Sequence, residues 1–199
     1  MKSLPALLIF IKNPELGTAK TRLAKTVGDE RALRIYRELL RHTREVATEV
    51  NAERYLYYSK FVDTTDDWLA ANFNKALQPE GNLGTRMQTA FAAVLAQHDR
   101  AVIVGSDCAT LTPEIVEQAF TALNTHDAVL GPAADGGYYL LGLKDLSVDV
   151  FSDMVWSVDT VAEVTRQRLA DAGKTVAELV ELSDIDTEAD WVRYGWEVE

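Results

Sequence analysis

The stretch ALLIFI, residues 6–11, contains six apolar residues in succession. A strand with one buried face alternates apolar and polar residues, whereas a strand that is buried on both faces reads as a continuous apolar run. Residues 6–11 therefore predict an interior strand of a sheet that is covered on both sides. The run AVIV, residues 101–104, predicts a second interior strand.

Helical patterns alternate with strand patterns along the rest of the chain. The predicted strands are 6–11, 54–58, 101–104, 128–131 and 138–143, and the predicted helices are 29–50, 65–73, 83–97, 113–123, 160–172 and 187–194. This alternation predicts a single α/β domain over residues 1–199, in which helices flank a doubly wound, mostly parallel sheet. Ligands of such sheets bind at the carboxyl ends of the strands, so the loops that follow the strands are the candidate sites.

Composition restricts the class of protein and the kind of metal site. The formal charge of −11 argues against nucleic acid as a partner, because that affinity depends on Lys and Arg at the phosphates. The first apolar run is followed at once by Lys12, so it fits neither a signal peptide nor a membrane span, and we expect a cytoplasmic protein. One cysteine and three scattered histidines exclude a Cys/His zinc site, so carboxylates would have to hold any metal.

The first loop, residues 12–22, carries three cations and a glycine directly after the first strand. Its backbone amides and the side chains of Lys12, Lys20 and Arg22 could surround phosphates. The loop is not a Walker A motif, and it lacks the glycine fingerprint of dinucleotide-binding folds. It predicts a phosphate site, with a solvated basic loop as the alternative.

Three further polar residues follow predicted turns or strands. Arg86 lies in the first turn of a predicted helix, where a cation opposes the helix dipole unless an anion is its partner. Asp107 follows an interior strand, and it could hold Mg²⁺ or Mn²⁺ together with substrate phosphates, or else cap a helix. Asp135 precedes a pair of glycines and could act as a base toward an acceptor, or simply form a turn.

The last polar segment contains Asp184 and Asp186, which would lie on the same side of an extended backbone. Helix capping alone would also explain Asp186. Cys108 has no histidine in a comparable segment, so we expect a small buried thiol rather than a nucleophile.

Taken together and in this order, these segments resemble the small bacterial transferases of the DUF2064 group, which have the nucleotide-diphospho-sugar transferase (GT-A) fold. Phospholactate guanylyltransferase and the molybdenum-cofactor nucleotidyltransferases are more distantly similar. The resemblance extends over nearly the whole chain. It rests on residues 12–23, Gly81-x-x-Gly84-x-Arg86-Met87, 105–108, 131–132, 135–139, 156–157 and 184–187.

The resemblance implies a metal-dependent glycosyltransferase with a nucleoside diphosphate sugar as donor and a small molecule as acceptor. It implies that Lys20 and Arg22 contact the nucleotide phosphates and that Arg86 helps to hold the base or the phosphates. Asp107 and Asp186 would hold Mg²⁺ or Mn²⁺, with Asp184 as an alternative to Asp186. Asp135 is the candidate acceptor base. We assign other residues of the same motifs to nucleotide binding: Lys12, Gly17, Thr21, Gly84 and Ser106.

Two other functions remain open at this point. The same residues would serve a nucleotidyltransferase that moves a nucleoside monophosphate from a triphosphate to a phosphorylated acceptor. A non-catalytic nucleotide-binding module is the third interpretation, and the joint presence of the Lys, Arg and Asp residues argues against it. A homodimer is also open, since Trp191 and Trp196 could pack in the core or at a dimer contact.

Overall fold

A mostly parallel sheet forms the centre of the computed structural model, which describes residues 4–198; residues 1–3, at the start of the chain, and residue 199 lie outside the described residues. The strand order is β3-β2-β1-β4-β6-β5-β7. Neighbouring strands are parallel except for β6, which runs antiparallel to both β4 and β5. In chain order the strands are β1 Ala6–Ile11, β2 Glu53–Tyr58, β3 Asn74–Leu77, β4 Ala101–Val104, β5 Ala128–Pro132, β6 Tyr138–Leu143 and β7 Val176–Glu178.

Helices cover both faces of this sheet, as the sequence predicts. Leu7 and Ile9 of β1 pack in one buried cluster with residues of α2 and α4, whereas Ala6 and Leu8 pack in another with residues of α3 and α5. Each fully buried Leu or Ile stabilises the fold by about 1.5–3 kcal/mol. Within residues 4–198, no helix combines the length and hydrophobicity that a membrane crossing requires. The helices are α1 Thr21–Val27, α2 Asp29–Glu49, α3 Leu83–Leu95, α4 Pro113–Ala122, α5 Val161–Asp171 and α6 Glu188–Tyr194.

The prediction of a helix over 65–73 is wrong. Asp63 accepts a hydrogen bond from the Thr65 amide at 2.8 Å, and Asp66 accepts one from the Trp68 amide at 3.1 Å. Such aspartate turns offer the backbone an alternative to helical hydrogen bonds. The strand β3 follows this segment, and neither β3, β7 nor the helix α1 is predicted from the sequence.

The chain segment before α6 returns to the carboxyl end of the sheet. Leu182 pairs with Ala133, and Asp184 pairs with Cys108. The Ile185 amide donates to the Asp107 carbonyl at 2.9 Å. Thr187, rather than Asp186, caps α6, because its side chain accepts from the Asp190 amide. The carboxylate of Asp186 is thus not needed as a cap and lies beside the end of β4.

Candidate active site

A cavity of about 380 Å³ opens at the carboxyl ends of β1 and β4, beside the start of β6. This volume lies within the range of pockets that bind small molecules and cofactors. Charged residues line one part of it: Lys12, Arg22, Asp107, Asp135, Asp184 and Asp186. Apolar and aromatic residues line another part, among them Phe10, Leu83, Met87, Tyr138, Trp156 and Val158. The cavity therefore suits a ligand with an ionic group attached to a larger, less polar group.

Two cations and two carboxylates form one ionic cluster at the charged end. Lys20 Nζ lies 3.0 Å from Asp107 Oδ1 and 3.8 Å from Asp186 Oδ1. Arg22 Nη1 donates to Asp186 Oδ2 at 3.0 Å. The Lys20 side chain is only 5% exposed, whereas that of Arg22 is 67% exposed. Within residues 4–198, Lys20 Nζ makes no well-aligned hydrogen bond, so its contacts are ion pairs.

Two residues beside the cavity have left-handed backbones although they are not glycine. Lys20 has φ 51° and precedes the first turn of α1, where its carbonyl accepts from the Ala24 amide at 2.9 Å. Ser157, in the cavity lining, has φ 63°. Such conformations cost energy for residues with a Cβ and cluster at functional sites. From this backbone the buried side chain of Lys20 reaches the two carboxylates.

Asp184 is a half-buried carboxyl group in the cavity lining. Burial first, and the negative charge of Asp107 second, raise the pKa of Asp184 to about 7, while Lys20 opposes the shift. A carboxyl group in a cavity that titrates near neutrality is a candidate for acid or base chemistry. The sequence points to Asp184 only as an alternative metal ligand, because its burial depends on pairing with the distant Cys108.

Tyr36 fastens the first loop to the end of β4. Its hydroxyl accepts from the Lys12 amide at 2.9 Å and lies 2.9 Å from the Lys12 carbonyl and 3.2 Å from Ser106 Oγ. Burial, and secondarily the charge of Asp107, raises the pKa of Tyr36, so the hydroxyl keeps its proton. Ser106 thus supports the loop from behind the cavity lining. The sequence pattern marks Tyr36 only as a core residue of α2.

Asn13 provides a second attachment for the same loop. Its side-chain amide donates to the Phe61 carbonyl at 2.9 Å and accepts from the Lys60 amide at 2.9 Å. Asn13 is buried, and a buried amide that is bonded at both ends holds its segment in one position. The sequence offers no signal for this role beyond the place of Asn13 in the loop.

Besides Lys20 and Ser106, four predicted nucleotide-binding residues lie outside the cavity lining: Gly17, Thr21, Gly84 and Arg86. Gly84 packs so closely that an added Cβ would lie 2.6 Å from the Phe151 carbonyl oxygen and 2.8 Å from Trp156 Cζ2. Arg86 has neutral partners, since it donates to the Gly81 carbonyl and to the Gln78 side chain. The remaining predicted residues line the cavity, contact its ionic cluster or support it: Lys12, Lys20, Arg22, Ser106, Asp107, Asp135 and Asp186.

The carboxylates of the cluster fit a divalent cation that shares its ligands with a substrate. Mg²⁺ is usually held by one or two carboxylates together with substrate phosphates. Asp107 and Asp186 both lie within 3.8 Å of Lys20 Nζ, so two carboxylates are close enough to share one cation. Among the residues that the structure describes, no three His, Cys, Asp or Glu side chains form a group that could hold a metal. A cation here would therefore need substrate oxygens.

Comparison with known proteins gives a family match and similar structures. Residues 42–158 match the family model described as "uncharacterized protein conserved in bacteria (DUF2064)". A structure from Desulfovibrio desulfuricans G20, described there as a provisionally assigned nucleotide-diphospho-sugar transferase, is 33% identical, with a TM-score of 0.85 over 93% of this chain and 83% of that chain. None of the curated proteins matches this sequence.

More distant structures share the fold. The inositol-1-phosphate CTP transferase from T. maritima is 13% identical, with a TM-score of 0.60 over 94% of this chain and 91% of that chain. Rv0371c from Mycobacterium tuberculosis H37Rv, in complex with manganese, is 16% identical, with a TM-score of 0.56 over 98% of each chain. At these identities the likeness concerns the sheet topology and its helices.

Proposed function

This chain belongs to the DUF2064 family, and from that membership and the chemistry of its cavity we propose that it is a metal-dependent glycosyltransferase. The donor would be a nucleoside diphosphate sugar, and the acceptor a small molecule. The observation that supports this proposal most is the cavity itself, where an ionic cluster adjoins an aromatic and apolar wall. A diphosphate requires the ionic cluster, and a sugar ring or an apolar acceptor suits the aromatic and apolar wall.

The cations of the cluster would act on the leaving diphosphate. Lys20 and Arg22 would bind its phosphate oxygens, and the burial of Lys20 strengthens the attraction because little water screens it. Mg²⁺ or Mn²⁺, held by Asp107 and Asp186 when bound, would neutralise part of the charge that develops on the diphosphate. Groups that are fixed in position before the reaction stabilise developing charge without reorganisation.

The acceptor side of the reaction would use the carboxylates that line the cavity. Asp135 is the proposed base, because it is exposed at the cavity and its Oδ1 is oriented by the Gly137 amide at 2.9 Å. A base must lie within hydrogen-bond reach of the acceptor hydroxyl, which an exposed carboxylate on a short loop can do. Tyr138 and Trp156 would hold the acceptor or the sugar by contact with their rings.

A thermal-shift panel tests the proposal. We expect one nucleoside diphosphate sugar to raise the Tm with Mg²⁺ or Mn²⁺ but not with EDTA. A ligand at about 100 times its Kd adds about 2.7 kcal/mol of stability, which corresponds to several degrees for a chain of this size. Preference for a nucleoside triphosphate, with label from its α-phosphate in the product, would instead identify nucleotidyl transfer. No stabilisation by any nucleotide would favour a non-catalytic module.

Removal of the Tyr36 hydroxyl should weaken donor binding. Tyr36→Phe leaves the Lys12 amide and Ser106 without their partner, and a buried group without its hydrogen bond costs about 1–3 kcal/mol. We expect the Kd of the donor to rise about tenfold, because the first loop loses its attachment to β4. Isothermal titration with the donor that the panel identifies would measure this change.

Tyr58→Phe is the matched control for Tyr36→Phe. Tyr58 is as deeply buried as Tyr36, but its hydroxyl donates to Asp66 Oδ2 at 2.6 Å, in the turn before β3. We expect this variant to lose stability and to keep its affinity for the donor. Equal losses of donor affinity in the two variants would mean that Tyr36 acts only through general stability.

A further inference from the structure

Lys20 places a positive charge where a metal ion would have to bind. Its ammonium lies 3.0 Å from Asp107 Oδ1 and 3.8 Å from Asp186 Oδ1, and these are the carboxylates that would hold the cation. A metal ion binds carboxylate oxygens at about 2.0–2.6 Å. The ion would therefore lie close to the ammonium and be repelled by it for as long as Lys20 keeps this position.

The ionic cluster is balanced before any ligand arrives. Asp107 and Asp186 contribute two negative charges, and Lys20 and Arg22 contribute two positive charges. A divalent cation alone would leave an excess of positive charge in a partly buried cluster, where screening is weak. A diphosphate alone would bring negative charge against the two carboxylates. The cation and the diphosphate bring charges of opposite sign. Each therefore neutralises the charge that would repel the other.

Lys20 rather than Arg22 accounts for most of the repulsion of a cation bound alone. The Arg22 side chain is largely exposed, so solvent and salt screen its charge, whereas the Lys20 side chain is almost fully buried. Lys20 Nζ is itself buried and makes no well-aligned hydrogen bond within residues 4–198, so only its ion pairs with the two carboxylates have to give way when phosphate oxygens approach.

We propose that Lys20 is an internal counterion that closes the metal site until a nucleoside diphosphate group arrives. This role rests on the proposed function and adds that the cation and the nucleotide bind with positive cooperativity. The cation alone binds weakly. In the free protein the ammonium neutralises Asp107 and Asp186. In the complex the phosphate oxygens take the ammonium, and the carboxylate oxygens become available to the cation.

Binding of Mn²⁺ alone, measured from the electron paramagnetic resonance signal of the free ion, tests this role without any reaction. We expect Lys20→Met to bind Mn²⁺ at least about tenfold more tightly than the wild type, because methionine keeps the apolar stem and removes the charge. Lys25→Met changes the net charge equally and lies nearby in α1, but Lys25 is exposed. That control should change the affinity less than about twofold.

Asp107→Asn in the Lys20→Met background tests whether the gain in Mn²⁺ affinity arises at Asp107. The gain in Mn²⁺ affinity should disappear in this double variant, since the carboxylate that Lys20 covers is gone. A Lys20→Met variant that binds Mn²⁺ no more tightly than the wild type overturns the counterion role. If the thermal-shift panel still finds a metal-dependent sugar nucleotide in that case, the proposed function stands without it.

The wild-type protein gives an independent test if Lys20→Met does not fold. Its affinity for Mn²⁺ should rise at least about tenfold when UDP, GDP, CDP, ADP or TDP is present, after correction for Mn²⁺ bound to the free nucleotide. Equal affinity with and without every nucleotide overturns the inference. Tight Mn²⁺ binding to Lys20→Met, with no nucleotide effect on the thermal stability of the wild type, would show that Lys20 repels the cation but that no nucleotide displaces it, which overturns the cooperativity and contradicts the glycosyltransferase.

Discussion

Asp107→Asn should lower kcat/KM of the transfer reaction by about a thousandfold and leave the protein folded. The substitution keeps the shape of the side chain and removes its charge, so the proposed cation would lose a ligand and the buried Lys20 loses its nearest anion. Loss of one group that stabilises developing charge typically costs a hundred- to a thousandfold in rate, and loss of a metal ligand adds to this. Initial rates with the identified donor, over a range of Mg²⁺ and Mn²⁺ concentrations, would measure the effect.

The other end of the same strand provides the control for Asp107→Asn. Asp99 precedes β4, is exposed and lies at the amino end of the strand, whereas Asp107 follows the carboxyl end. Asp99→Asn changes the net charge equally, and we expect kcat/KM to stay within about twofold of the wild type. Metal-dependent turnover by Asp107→Asn within tenfold of the wild type would contradict the assignment of Asp107 as a metal ligand.

The sheet was predictable because its interior strands bury both faces. The apolar runs 6–11 and 101–104 become β1 and β4 with unchanged bounds, and alternate residues of β1 face the two helical layers. The pattern also predicts which edge of the sheet carries the site, since ligands bind beyond the carboxyl ends of parallel strands. The cavity lies at this edge, and Lys12, Asp107 and Asp135 line it.

The ionic cluster depends on contacts that no local pattern contains. Asp186 reaches Lys20 only because the segment around Leu182 pairs with the end of β5. Local spacing can place two aspartates on one side of a strand, but it does not show which distant lysine they will meet. The burial of Asp184, which raises its pKa, accompanies its own pairing with the distant Cys108.

The error over residues 65–73 has a physical origin in side-chain contacts. The apolar spacing in 65–73 favours a helix, yet the carboxylates of Asp63 and Asp66 bond to backbone amides and form turns instead. These side-chain contacts are not visible in the period of the pattern. The same is true of Gly84, which packs closely against Phe151 and Trp156, while its assignment to nucleotide binding stays a prediction.

Gly136→Ala should destabilise the protein more than any other substitution considered above. Gly136 has φ +87°, and an added Cβ would lie 2.0 Å from the Asp159 carbonyl oxygen. Its own carbonyl accepts from the Ala162 amide at 2.9 Å, so the loop is held against the start of α5 and cannot easily move away. Strain of this backbone and the clash together should lower the free energy of unfolding by at least about 3 kcal/mol. Urea denaturation would measure the loss.

Gly173→Ala separates the effect of backbone strain from the effect of the clash. Gly173 has φ +70°, but no atom lies within 4 Å of its added Cβ, so this variant carries the backbone strain without the clash. We expect it to lose only about 1 kcal/mol. Equal losses for the two variants would mean that the loop after β5 yields to the added methyl group. A larger loss for Gly136→Ala, together with weaker donor binding, would show that the contact with Asp159 holds Asp135 and Tyr138 in place at the cavity.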